Sequence, residues 1–263
     1  MSPAPAIPPL TIEEARRILL QLEDALADSD AILIGGQAVA LWTSYFAPLD
    51  DDLDTGGVAS KDIDFQGSLG LLAQAAGLLS GEMKVPSIDH ATPIVGIVSF
   101  VDGDGHQRQI DLLDRPYGLR PDEVSKSAIP LEIARSDGTS IHISVIHPER
   151  CMESRVYNTT LPNKQTDLAW RQLRASIACT RAFSAELLAT GHIRDVLKLN
   201  ERIFRFAQND RCSRLALERE IEVFDAVLDD QRLPDKFRAI RLPQMHEHIR
   251  ALRERRRAQQ APP

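Results

Sequence analysis

At 263 residues, with 43% hydrophobic and 26% charged side chains, the chain can bury one large core or two modest ones and does not have the composition of a disordered segment. No apolar run approaches the roughly 18 to 20 residues that span a bilayer, and Met1–Leu10 lacks the charged-then-apolar order of a secretion signal, so a cytoplasmic protein without a membrane partner is expected. The net charge of −7 is unevenly distributed: residues 1–150 hold 10 Lys/Arg against 23 Asp/Glu, and residues 151–263 hold 21 against 15. An acidic half followed by a basic one suits divalent cations and phosphates, though two solvated surfaces would give the same count.

In chain order, Thr11–Ala27 places Ile12, Ala15, Leu19, Leu22 and Leu26 at helical spacing, with Thr11 and Glu14 as a capping box. Ala31–Gly36 reads as a short buried strand ended by a Gly35-Gly36 turn, and Gln37–Phe46 as a helix leaving that turn. An acidic loop, Pro48–Ser60, leads to a strand over Lys61–Gly67, and Gly70–Leu79 is helical. Strands over Thr92–Val101 and Arg108–Leu113 flank Asp102-Gly103-Asp104-Gly105, a strong hairpin signal, and Ile129–Ala134 pairs with Ser140–Ile146 around Asp137-Gly138.

From Pro148 the pattern turns helical, with segments near 149–157, 165–188, 193–207, 211–228 and 234–257. The expected fold is α+β, a mixed sheet with flanking helices in residues 1–147 followed by a helical domain over 148–263. Cys151, Cys179 and Cys212 are too dispersed for a zinc site or a disulfide framework and are expected as buried small apolar side chains.

The chemistry concentrates in few places. The period of two puts Asp62 and Asp64 on one face of a strand, with Ile63 and Phe65 on the other, and two carboxylates that close are best reconciled by a hard cation such as Mg²⁺. Asp111, flanked by apolar residues in a later strand, is a candidate third ligand. Gly35-Gly36 opens a helix whose free amides can face an anion, although a tight turn needs glycine equally. Asp50–Lys61 fails as a calcium loop, with Thr55 at its sixth position and Lys61 at its twelfth, and His246-Glu247-His248 lacks the spacing of a zincin.

The order Ile34-Gly35-Gly36, helix, Asp62-Ile63-Asp64, then a hairpin strand with Asp111 resembles the nucleotidyltransferase superfamily typified by DNA polymerase beta, over about residues 30–114. The second half, from His147-Pro148-Glu149, is similar to bacterial nucleotidyltransferase-like proteins related to the AbiE abortive-infection toxins. The spacing of about 26 residues between the glycines and the Asp pair makes Pro48–Ser60 an insertion, and Gln37 stands where the superfamily often has Ser.

The resemblance implies a nucleotidyltransferase-like sheet in which Asp62, Asp64 and Asp111 are the catalytic, Mg²⁺-binding carboxylates. It implies nucleotide binding by Gly35, Gly36 and the adjacent Gln37, for which the second half should supply cations to neutralise the phosphates; Arg155, Lys164, Arg171 and Arg174 are the candidates, and a solvated helix face accounts for the same residues. The implied reaction moves an NMP from an NTP to an acceptor, RNA (tRNA) or protein, in a toxin that would have a cognate antitoxin protein. Two alternatives stand beside it: a non-catalytic nucleotide-binding or regulatory protein that keeps the fold, and a D-x-D glycosyltransferase.

Overall fold

The computed structural model describes residues 8–49, 53, 57–87 and 93–260, so much of the Pro48–Ser60 loop lies outside the described residues. Helix α1 (Ile12–Gln21) opens on the expected capping box: Thr11 Oγ accepts from the Glu14 amide, and the Glu14 carboxylate accepts from the Thr11 amide. The single helix expected over Thr11–Ala27 breaks at Leu22, and α2 (Glu23–Ala27) completes it. Strand β1 (Ile32–Ile34) runs directly into α3 (Gly35–Phe46), so the glycine pair is the first turn of the helix instead of a turn before it.

Next come β2 (Asp62–Gln66), α4 (Leu69–Leu78), β3 (Glu82–Lys84), β4 (Ile94–Val101), β5 (Gln107–Leu113), α5 (Pro121–Ser127), β6 (Ile129–Ala134) and β7 (Ser140–Val145). They form one seven-stranded mixed sheet in the order β3-β4-β5-β2-β1-β7-β6. The pairs β2/β5 and β1/β7 are parallel, and the other four are antiparallel. Strict alternation on these strands sends Leu33, Ile63, Phe65, Val98, Ile110, Leu112 and Val145 to one face, where each is 1% exposed or less. The opposite face of β2 and β5 carries Asp62, Asp64, Gln109 and Asp111.

The helical part begins at Pro148, with His147 as N-cap. It comprises α6 (Pro148–Thr159), α7 (Asp167–Ala189), α8 (Ile193–Ala207), α9 (Asp210–Arg219) and α10 (Leu242–Gln260), the last preceded by a π-helical turn over Phe237–Arg241. The helix expected over 211–228 stops at Arg219, because Glu220 adopts the left-handed conformation (φ 53°), and a 3₁₀ turn over Val223–Ala226 follows.

Helices α6 and α7 serve two cores. Cys151, Ala175 and Cys179 join the cluster beneath the sheet, whereas Met152, Val156, Leu173 and Ile177 join a second cluster with α8, α9 and α10. Polar anchors fix the arrangement. Trp42 Nε1 donates to the Ile146 carbonyl at 2.9 Å, Arg202 grips Glu149 with both ends of its guanidinium, and the buried Arg253 ties α10 to Glu222, Ser213 and the Ala207 carbonyl. All three cysteines are buried, and Cys179 Sγ lies 3.6 Å from Thr43 Oγ1.

Candidate metal centre

In the parallel β2/β5 pair Asp64 lies opposite Asp111, and Asp62 opposite Gln109, so the three side chains share one face of strands roughly 4.8 Å apart, although their ligand atoms do not all come within 4.8 Å of one another. In the antiparallel β1/β2 pair Asp64 faces Ile34, the residue before α3. The carboxylate therefore sits at the start of that helix. Gly35 has φ 72°, and a Cβ there would overlap the Asp64 side chain, so glycine is required twice over at this position.

The electrostatics of the face are uncompensated. Burial raises the Asp64 carboxyl to about 7, assisted by Asp111 and Asp62 and opposed by Arg155 and the Gly36 amide. Burial likewise raises Asp62, with Asp111 adding to the shift and Lys61, Arg108 and Lys164 resisting it. Asp111 is raised by burial against a hydrogen bond from the Gln109 amide and the charge of Lys164. Arg155 and Lys164 act on the face through space, with no ion pair to it among the described residues. Three incompletely neutralised oxygen donors on one face have the donor chemistry that suits a hard divalent cation, at a spacing wider than 4.8 Å between their ligand atoms.

The other expected site residues divide. Gly36 is close-packed by the chain itself: a Cβ there would come within 2.6 Å of Gln172 Nε2 and 2.8 Å of the Ser60 side chain. Gln37 is 1% exposed and donates to the Ser60 carbonyl at 2.6 Å, and its Oε1 is buried without a partner among the described residues. Lys164 is exposed and acts on both Asp62 and Asp111, and the exposed Arg171 lays its guanidinium against Gly57. Arg174, expected beside Arg171, instead caps α9 by donating to the Arg219 and Glu220 carbonyls.

Among the described residues, one set of three acidic or imidazole groups brings its ligand atoms within 4.8 Å of one another. It is Glu14, Asp102 and His106, at the turn of the β4/β5 hairpin. That spacing is tighter than at Asp62, Asp64 and Asp111. Its charges, however, are already matched: Arg108 Nε donates to Asp102 at 2.6 Å, Arg108 Nη2 lies 3.5 Å from Glu14, and the His106 and Asp104 amides donate to Asp102.

No family model matches the sequence, and no curated protein is similar to it in sequence. The fold is similar to that of several solved structures, two of them as follows. One is an antigenic nucleotidyltransferase-like protein from Paracoccidioides brasiliensis, at 14% identity and a TM-score of 0.41, over 73% of this chain and 95% of that one. The other is the Megavirus polyadenylate synthase, at 15% identity and a TM-score of 0.39, over 82% of this chain but 45% of that one.

Sequence reasoning missed three contributors. Gln172 reaches the site from α7, donating to the Val58 carbonyl at 2.9 Å and accepting from Arg155 Nη1 at 3.1 Å. Gln109 bonds Asp111, and Arg108 neutralises the hairpin cluster. A signal existed for Gln109, two residues before Asp111 on the same face. The partners of Gln172 and Arg108 depend on tertiary contacts that spacing does not show.

Proposed function

We propose that the chain is a Mg²⁺-dependent nucleotidyltransferase that moves an NMP from an NTP to an acceptor, RNA or protein. The observation that carries this reading is the shared face of Asp62, Asp64 and Asp111 at the start of α3, with every carboxyl raised by burial. Asp62, Asp64 and Asp111 would hold the metal. When bound, Mg²⁺ would supply charge stabilisation for an in-line displacement at the α-phosphate.

The chain's own groups do the rest. Lys164, exposed at the rim, faces phosphate charge, and Arg155 balances Asp64 from α6. Asp111 takes the acceptor hydroxyl's proton, for which a carboxyl raised above its ordinary value is better suited than an unperturbed one. The sequence resemblance adds a finer role, a toxin partnered by an antitoxin protein. Residues 1–147 and 148–263 would act as the nucleotide-binding and helical domains.

A second reading, a non-catalytic nucleotide-binding or regulatory protein, is favoured by one observation: the Cα positions of both glycines are already covered, Gly35 by Asp64 and Gly36 by Gln172 and Ser60. Incubation with each α-labelled NTP, Mg²⁺ and total RNA or lysate separates the two. Label transfer by the wild type that disappears in Asp64→Ala is expected. Transfer that survives the substitution refutes the site, and its absence under every condition selects the second reading.

A further inference from the structure

We infer that Gln172 is a positioning residue for the carboxylate face, joining the helical half to the segment that feeds β2. The inference rests on the reading of Asp62, Asp64 and Asp111 as metal ligands. Gln172 lies on α7, remote in sequence from every residue of that face, and is 4% exposed. Both ends of its amide are engaged: Nε2 donates to the Val58 carbonyl at 2.9 Å, and Oε1 accepts from Arg155 Nη1 at 3.1 Å. One primary amide therefore holds the strand-entry segment on one side and the guanidinium that balances Asp64 on the other.

The same segment is fixed from its other side. The Ser60 carbonyl accepts from Gln37 Nε2 at 2.6 Å and from the Leu10 amide at 2.9 Å, and Ser60 Oγ lies 3.4 Å from the Asp62 amide. Val58 and Ser60, within four residues of Asp62, are thus bound from α7, from α3 and from the segment before α1. The second glycine acquires a reason in this arrangement, because any side chain at Gly36 would displace the Gln172 amide. Apolar packing alone would not need an amide here. A leucine fills similar space, but it leaves Arg155 Nη1 and the Val58 carbonyl without this partner, and Arg155 Nε is already buried without one among the described residues.

Gln172 touches neither the proposed metal nor the substrate, so its effect should be read on metal binding separately from folding. The probe is Mn²⁺ alone, titrated into the full chain, with the free-ion electron paramagnetic resonance signal reporting binding. Wild type is expected to bind, and the Asp62→Asn/Asp64→Asn double variant to lose that binding. Gln172→Leu is expected to weaken Mn²⁺ affinity about 10-fold or more, the scale on which outer-shell partners of metal ligands act. Gln172→Met, which keeps the length of the side chain, is expected to do the same and serves if the leucine variant does not fold.

Thr180→Val removes a buried hydroxyl that donates to the Ser176 carbonyl within α7, and is expected to lower the unfolding midpoint while leaving Mn²⁺ affinity unchanged. If wild type binds, the double Asp variant does not, and both Gln172 variants bind like wild type, the positioning role is overturned while the metal site stands. If the double Asp variant binds like wild type, or wild type does not bind, the underlying metal reading falls and takes this role with it.

Discussion

Two acidic clusters border this sheet, and the closer-packed of them is the one whose charges the fold has already matched. At the β4/β5 hairpin, Glu14, Asp102 and His106 bring their ligand atoms within 4.8 Å of one another. Glu14 is nevertheless held below its ordinary carboxyl range by the Thr11 amide and hydroxyl, with Arg108 assisting. Burial pushes Asp102 up, but the His106 amide, the Arg108 guanidinium and the Asp104 amide outweigh it. On the open face Asp62, Asp64 and Asp111 are all raised, because burial exceeds what Lys164, Arg155 and nearby hydrogen-bond donors return. Proximity of carboxylates thus measures little by itself. Whether the fold has already supplied the counter-charge separates a structural network from a ligand site.

The largest test of that contrast is Arg108→Leu. The Arg108 side chain is fully buried and serves Asp102, Glu14 and the Pro8 carbonyl, so its removal leaves acids without their partner. A loss of about 3 to 5 kcal/mol in denaturant unfolding is expected, with Mn²⁺ binding at the other cluster retained. Unfolding at the wild-type midpoint would show that the hairpin cluster is not compensated by this residue.

Asp64→Asn should act in the opposite direction. The folded carboxyl is raised to about 7, above its ordinary value of 3.8, so the folded state holds more protons between those values and stability falls as pH rises through them. A neutral amide removes that fall. In metal-free buffer near pH 8 the variant is expected to be more stable than wild type by about 1 kcal/mol or more, while losing Mn²⁺ binding and any transfer activity. A less stable variant would place Asp64 with the compensated cluster.

Much of this was legible in the residues. Alternation in Asp62-Ile63-Asp64-Phe65 and in Gln109-Ile110-Asp111-Leu112 gave both strands and the face of each carboxylate, and the Asp-Gly pairs gave the hairpin between β4 and β5. The strand β3 and the helix α5 were missed because three and seven residues carry too little periodicity to rise above their surroundings. The stop of α9 fell on Glu220, a left-handed residue with no glycine to announce it.

The glycine pair was the subtler case. Its presence suggested an anion site, but Gly35 gives way to Asp64 from β2, and Gly36 to Gln172 from α7. A local motif was there for non-local reasons. The partners of Arg108 were hidden for the same cause, since Pro8 and Glu14 meet it only after the chain has returned to the sheet.

The smallest expected effect brings the same contrast inside one helix. At the start of α6, His147 accepts the Glu149 amide through Nδ1 at 3.2 Å, and burial pushes its imidazole down to about 4. One turn on, burial pushes Glu153 up to about 7 despite its 2.5 Å bond from Arg150. The signs oppose. Between about 4 and the ordinary 6.5, the unfolded chain holds the extra proton on His147, so this group makes stability rise with pH. Between the ordinary 4.5 and about 7, the folded chain holds the extra proton on Glu153, so that group makes stability fall.

With the Asp64 contribution removed by Asp64→Asn, the two should nearly cancel and stability change little across the overlap. His147→Asn keeps a capping oxygen and removes the rising contribution, leaving stability to fall with pH, whereas Glu153→Gln leaves the rise alone. Because Asp64 adds to the fall over the same window, the pair is best compared in an Asp64→Asn background, with unfolding midpoints followed across the window. Profiles of opposite slope are expected. Parallel profiles for the two variants would mean that α6 carries no uncompensated charge, and would confine that property to the face of β2 and β5.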